Sequence, residues 1–372
     1  MAGEDSTAPK RKRPMGLKAR RGFNSTQAQT AHGAQSPVGQ KPATVTAAGA
    51  QEVADFADET TATVMLRGDD TNEIDELEGI FDSAMEALAE GEDERALTLL
   101  RGSVHESDRL LRLHDTQGEG ELEPRFYYIY GSALFSLAEA SQDIEDRGVY
   151  LELALHRLEQ AREIMTEDIK GRVYMALAKV KLEMAAEAGS EDVDGVVQVL
   201  DQAVSALETN DGEATEQMLA ASDLVLSLAD SQRLPTRASS RLVAWGMAQA
   251  RSLLQSQQDS DECRCVLARA LWLQASAMIG EDDEISEKPE FAKLLSEAVE
   301  LLEKTESSDG LILRGEIEIN LGNAQDDEME MEQWYTRAVA SFRRAQEMGE
   351  LPEQFVQFID DFENESDESD SE

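Results

Sequence analysis

Leu151-Glu-Leu-Ala154-Leu-His-Arg-Leu158-Glu-Gln-Ala161-Arg162 decides the fold class. Leu151, Leu155, Leu158, the aliphatic stem of Arg162 and Met165 recur at helical spacing, so this stretch is a helix with one apolar face. Ala154, Leu158 and Ala161 also run small, large, small, the arrangement that lets the second helix of a tetratricopeptide-type repeat pack closely on the first. Ala338, Phe342 and Ala345 repeat the arrangement, with Pro352 following, and Gly131 and Gly315 lie in the helices before each, where that repeat often has its glycine.

Working outward, caps and breakers predict helices near 74–90, 93–113, 124–141, 148–166, 169–188, 192–208, 213–230, 236–256, 261–279, 289–304, 309–322, 331–348 and 352–362. Pro124, Pro235, Pro289 and Pro352 each precede or open one of these segments, where helices tolerate proline. Strand-type alternation is nowhere sustained. Short connections such as Thr209-Asn-Asp-Gly212 favour antiparallel neighbours, and a long run of helical hairpins buries its faces by stacking. The expected fold is therefore all-α, an irregular tetratricopeptide- or HEAT-like α-solenoid of antiparallel helix pairs. Its second helices recur about every 40–50 residues instead of 34.

Residues 1–70 hold small and polar side chains with few large apolar groups and are expected to be a disordered arm. Residues 71–362 form the helical repeat domain. The run Glu365-Ser-Asp-Glu-Ser-Asp-Ser-Glu372 marks 363–372 as an acidic disordered tail.

Lys and Arg number 34 against 77 Asp and Glu, a formal charge of −43, which excludes a general preference for nucleic-acid phosphates and points to neutral or basic protein surfaces. No apolar run approaches the roughly 20 residues that span a bilayer. Cys263 and Cys265 are too close to staple a fold, which indicates a reducing compartment. Phosphate-loop glycines are missing, the four histidines include no i,i+4 pair, and carboxylates are too common for any two to mark an acid–base pair. The chain is accordingly expected to be a non-enzyme without catalytic residues, cofactor or metal.

Two features suit partner binding. Lys10, Arg11, Lys12 and Arg13, with Lys18, Arg20 and Arg21 behind them, fit the acidic groove of a nuclear import receptor; such clusters also bind RNA or merely solubilise. In Val104-His-Glu-Ser-Asp-Arg-Leu-Leu-Arg112, the side chains of His105, Asp108, Arg109 and Arg112 form a polar stripe beside the apolar face of Leu97, Leu100, Val104 and Leu111. That stripe reads either as an ordinary helix edge or as a contact for a partner. Phe126, Tyr127, Tyr128 and Tyr130 cover more than one face of their helix, so Tyr127 and Tyr128 are candidate anchors for a partner peptide. Trp245, Trp272 and Trp334 are expected in the core.

Lys12-Arg-Pro-Met-Gly-Leu17 and Val104–Arg112 together resemble the fungal enhancer of translation termination family, also called negative regulators of a prolyl-hydroxylase-like dioxygenase. The position of Ser107 looks like a cysteine in related sequences. The resemblance covers the whole chain, basic arm, helical body and acidic tail in that order. It implies a nuclear adaptor that binds a 2-oxoglutarate and iron dependent dioxygenase acting on a basic ribosomal protein, the iron belonging to the partner. It links the chain to correct translation termination and to oxygen-responsive, hypoxic gene expression. The net charge and the serine-rich acidic tail support a different reading, an acidic nuclear chaperone for basic ribosomal or histone proteins.

Overall fold

The computed structural model describes residues 72–117, 122–141, 143–207, 212–280, 282, 284–349 and 351–369. The arm with its basic cluster and the last three residues lie outside these. Among the described residues the chain forms helices and no strand: α1 Glu73–Ala89, α2 Asp93–Gln117, α3 Pro124–Ala140, α4 Ile144–Ile164, α5 Lys170–Glu187, α6 Asp194–Leu207, α7 Gly212–Asp230, α8 Thr236–Ser256, α9 Asp261–Ser276, α10 Lys288–Leu302, α11 Ser308–Ala324, α12 Glu328–Met348 and α13 Glu353–Ser369. An isolated antiparallel bridge joins Ile279 to Ile285. The fold class is the all-α solenoid that the hairpin pattern predicts.

Capping chemistry sets the boundaries. Asn72 accepts from the Ile74 and Asp75 amides, Asp143 from Glu145 and Asp146, Ser260 from Cys263, Ser307 from Gly310, and Asp327 from Met329 and Glu330. Each side chain satisfies amides that the first helical turn leaves open. The caps at Asp143 and Asp327 start α4 and α12 a turn earlier than 148 and 331. The last helix likewise runs on to Ser369, past the expected boundary at 362.

The described chain divides into two compact units at Lys181 and Leu182. In the first, α1 and α2 run antiparallel: Glu73 pairs with Arg109, while Ile80 faces Gly102. α3 and α4 form the next hairpin, closed by Phe126, Ile129, Leu134, Leu151, Ala154, Leu158 and Ala161, all buried. A Cβ at Gly131 would lie 2.6 Å from Leu158 Cγ and 3.2 Å from the Ala154 carbonyl oxygen, so the glycine is the socket for the large residue of the small-large-small pattern. Arg162 is exposed and Ala154 and Ala161 take its place on the buried face.

In the second unit, α7 and α8 are antiparallel through Thr215 with Gln257 and Leu226 with Gly246. α9 and α10 bury Leu271, Phe291, Leu295 and Leu302 in one core. The socket returns in α11 and α12, where a Cβ at Gly315 would lie 2.5 Å from Phe342 Cε1 and one at Gly322 2.6 Å from Tyr335 Cε1. α13 covers this hairpin: Phe355 stacks on Phe342 at 4.5 Å between ring centroids, and Phe358 meets Tyr335 edge-on at 5.9 Å. Trp245 is buried and donates Nε1–H to Asp201 at 2.9 Å, whereas Trp272 and Trp334 are half-buried at the border of the core.

Side-chain contacts between equivalent positions of successive hairpins, four between helices and one from the connection before α11, reveal the period. Asp194 with Arg241 spans 47 residues, Asp201 with Trp245 44, Asp223 with Arg269 46, Arg251 with Glu297 46 and Asp261 with Thr305 44. The helices α3, α5, α7, α9 and α11 begin at 124, 170, 212, 261 and 308, so four repeats of mean length 46 separate the first from the last. Gly131, Asp143, Ala154, Leu158 and Ala161 therefore stand 184 residues before Gly315, Asp327, Ala338, Phe342 and Ala345 without a gap. α3–α4 and α11–α12 are the same hairpin, four repeats apart.

Candidate partner-binding surface

The polar stripe of α2 is partly tied into the fold. Asp108 accepts a hydrogen bond from the Tyr130 hydroxyl of α3, and Arg109 donates to Glu106 at 2.7 Å and to Glu73 of α1 at 3.0 Å. Those bonds to Glu106 and Glu73 hold the Arg109 guanidinium above its usual range. Arg112 donates to the carbonyl of Asp108 at 3.1 Å and His105 is exposed, so these two carry the outward part of the stripe. Ser107 is fully buried and donates to the Ser103 carbonyl at 2.8 Å, which makes its position one of packing. Leu100 and Val104 are buried as expected, whereas Leu97 and Leu111 are half-buried and Leu99 and Leu110 complete the buried face.

Reversal of these two arginines separates the roles. Arg109→Glu places a third carboxylate beside Glu73 and Glu106 and is expected to lower stability by about 0.5–1 kcal/mol, the scale of exposed pairs. Arg112→Glu loses no interhelical bond and is expected to leave the melting temperature within a degree or two while weakening partner binding. A loss of stability at Arg112 as large as at Arg109, in thermal unfolding, contradicts the assignment.

Tyr127 and Tyr128 are half-buried while Phe126 and Tyr130 are buried. Tyr127 meets Phe126 edge-on at 5.2 Å. The Tyr128 ring lies 6.0 Å from the Arg172 guanidinium of α5, and burial pushes its hydroxyl up, opposed by that charge. On the other side stands α1, parallel to α3, whose Asp75 and Glu78 bind Arg125 at 2.6 and 2.8 Å and whose Met85 reaches Ser136. Asp82 completes the stripe Asp75, Glu78, Asp82, Met85. The first helices α1, α3 and α5 thus present a face of alternating charge around Tyr128, and Asp82 and Arg172 are parts of it that the sequence did not single out.

Loss of hydration raises the Asp82 carboxyl above its usual value, with Arg172 opposing. A raised carboxylate binds more protons folded than unfolded, so its contribution to stability is present at acid pH and is lost as pH rises through the folded value. Asp82→Asn is therefore expected to raise the melting temperature at pH 7 and to have little effect near pH 3. An equal shift at both pH values contradicts this account of the face.

Chemistry of other kinds has few supports. Among the described residues no group of three or more His, Cys, Asp or Glu side chains is placed to hold a metal ion. No described helix is long and apolar enough to cross a membrane. Cys263 is buried, and burial pushes the half-buried Cys265 thiol up, away from a reactive thiolate. Stacked helical hairpins with a mixed polar and aromatic face define an all-α repeat scaffold.

The family model described as "Nuclear pore complex subunit Nro1" matches residues 34–228, more than half of the chain. The chain belongs to that family and is a nuclear protein. A solved structure of the S. pombe nuclear import adaptor Nro1 is 17% identical, with a TM-score of 0.51 over 82% of this chain and all of that one. A further structure, described as "The hypoxic regulator of sterol synthesis Nro1 is a nuclear import adaptor", is 16% identical, with a TM-score of 0.49 over 78% of this chain and 93% of that one. The first of these likenesses supports the fold. No curated protein matches the chain.

Proposed function

We propose that the chain is a non-catalytic nuclear import adaptor that engages an import receptor through Lys10–Arg13 and carries a protein cargo on its helical surface. Membership of the Nro1 family is the observation that supports this most strongly. The cargo is a prolyl-hydroxylase-type dioxygenase using 2-oxoglutarate and iron, the iron residing in that partner. Through it the adaptor promotes correct translation termination, as the name enhancer of translation termination describes, and regulates hypoxic gene expression. Tyr127, Tyr128, His105 and Arg112 are the cargo contacts, with Asp108 and Arg109 holding α2 against α3 and α1. A basic ribosomal protein, the dioxygenase's substrate, is a further partner that the charge of −43 suits.

The same charge favours a second reading, a chaperone for many basic proteins. Salt separates the two, because screening strips exposed ion pairs but leaves shape complementarity. The import arm is tested by replacing Lys10, Arg11, Lys12 and Arg13 with alanine. Fluorescence microscopy is expected to show the protein moved to the cytoplasm, with unaltered thermal unfolding. Undiminished nuclear accumulation removes the arm from the account.

A further inference from the structure

In a chain with 77 Asp and Glu, residues 231–258 contain no acid and four arginines, Arg233, Arg237, Arg241 and Arg251. Three of these are paired: Arg233 donates to Glu183 at 2.8 Å, Arg241 to Asp194 at 3.2 Å and Arg251 to Glu297 at 3.2 Å. Arg237 is exposed and has no ion-pair or hydrogen-bond partner among the described residues. It follows Thr236, the first residue of α8, which is likewise exposed and has no partner among them for its hydroxyl. The other second helices, α2, α4, α6, α10 and α12, each carry a carboxylate in the first turn, and α8 carries none.

An arginine three residues before a hydroxyl is a charge pattern that a kinase with an acidic substrate groove reads. Among the described residues Thr98, Thr236 and Ser240 stand three residues after an arginine. Thr98 and Ser240 lie inside helices, and the Thr98 hydroxyl donates to the Glu94 carbonyl at 2.9 Å. Before Thr236 the chain is not helical from 231 to 235, which leaves an approach that a kinase groove can take in extended form. The Arg233 side chain keeps 38% exposure, so carboxylates of the groove can replace Glu183 on it.

We propose that Thr236 is the substrate of an arginine-directed serine/threonine kinase, and that Arg237 holds the phosphate at the start of α8. Thr236 Oγ1 bonds to the γ-phosphorus of ATP as the bond from that phosphorus to the β-phosphate oxygen breaks. ADP leaves and the hydroxyl proton passes to the catalytic base of the kinase. The product adds about two negative charges where a cation and first-turn amides receive them, so it stabilises the start of the helix. The serines of the acidic tail offer the opposite setting, with like charge on both sides. The proposal does not depend on the import reading.

The test is incubation of the folded full chain with magnesium, ATP and an arginine-directed kinase, followed by tandem mass spectrometry. Phosphate is expected at Thr236 and is absent there in Thr236→Val. Arg233→Lys keeps a charge for Glu183 but loses the guanidinium fork, and is expected to slow phosphorylation of Thr236 about ten-fold. Thermal unfolding checks that both variants retain the fold. The phosphorylated chain is expected to melt about 2–4 °C above the unmodified one, with most of that gain lost in Arg237→Gln phosphorylated to the same extent. An unmodified Thr236 in the folded chain, an unchanged rate in Arg233→Lys, or a melting temperature that phosphorylation lowers or leaves unchanged overturns the proposal.

Discussion

Glu318→Ala is expected to destabilise the second unit by about 3–5 kcal/mol, the scale of breaking a buried charge pair by removing one partner. Glu318 is fully buried, and its Oε1 accepts from Arg314 Nε at 3.0 Å and from Arg337 Nε at 3.2 Å, while Oε2 accepts from Ser341 Oγ at 2.8 Å. Removing the carboxylate leaves Arg314 largely enclosed without its counter-charge and frees the hydroxyl of Ser341. For a unit of this size that loss corresponds to a fall of roughly 10 °C in melting temperature. The equivalent place in α3 is Leu134, also buried, with Tyr130 and Leu153 at the positions of Arg314 and Arg337. Glu318→Leu leaves the arginines without their counter-charge as Glu318→Ala does, but should cost less because it refills the volume. Equal stability of wild type and Glu318→Ala in denaturant unfolding contradicts this account of the last hairpin.

The second large effect is a reversal of sign. Gly315→Ala in an exposed helix interior would stabilise by about 1 kcal/mol through helix propensity. Here the new Cβ meets three atoms of the Phe342 ring at 2.5–2.8 Å, and that ring is held from behind by Phe355, so it has nowhere to retreat. Net destabilisation of about 1–3 kcal/mol is expected, as in overpacked cores. Phe342→Ala removes a fully buried ring and should cost about 3–5 kcal/mol. In that background Gly315→Ala no longer clashes and is expected to stabilise. Denaturant unfolding of the four proteins of this cycle gives the coupling. Additive effects would show that the glycine is not the socket for Phe342.

Helix order was legible in the sequence because its signals are local. Pro235 opens α8 and Gln257 closes it, and the expected span 236–256 is the observed one. Gly148 misled the start of α4, since a glycine inside a helix weakens it without ending it, and the true cap is Asp143. The end of α13 was hidden because acidic residues that solvate a helix look the same as those of a tail. The pairing of α3–α4 with α11–α12 was visible only as two small-large-small patterns, since the repeats between them vary in length and conceal the fourfold step.

The candidate surface was legible in part. Helical spacing placed His105, Asp108, Arg109 and Arg112 on one edge of α2, but the partners Tyr130 and Glu73 lie 22 and 36 residues away. Such pairings come from stacking, which a local pattern does not encode. Asp82 and Arg172 escaped notice for the same reason, because each gains its role only when α1, α3 and α5 lie side by side. Nothing in the sequence set Glu318 apart from the other carboxylates, and its two arginines from successive helices account for its burial.

Affinity purification of the tagged chain from nuclear extract, washed at low and then high salt, tests the central claim most directly. A dedicated adaptor predicts one dioxygenase retained after the high-salt wash. Loss of that protein together with many basic proteins as salt rises would contradict the adaptor and leave the acidic chaperone.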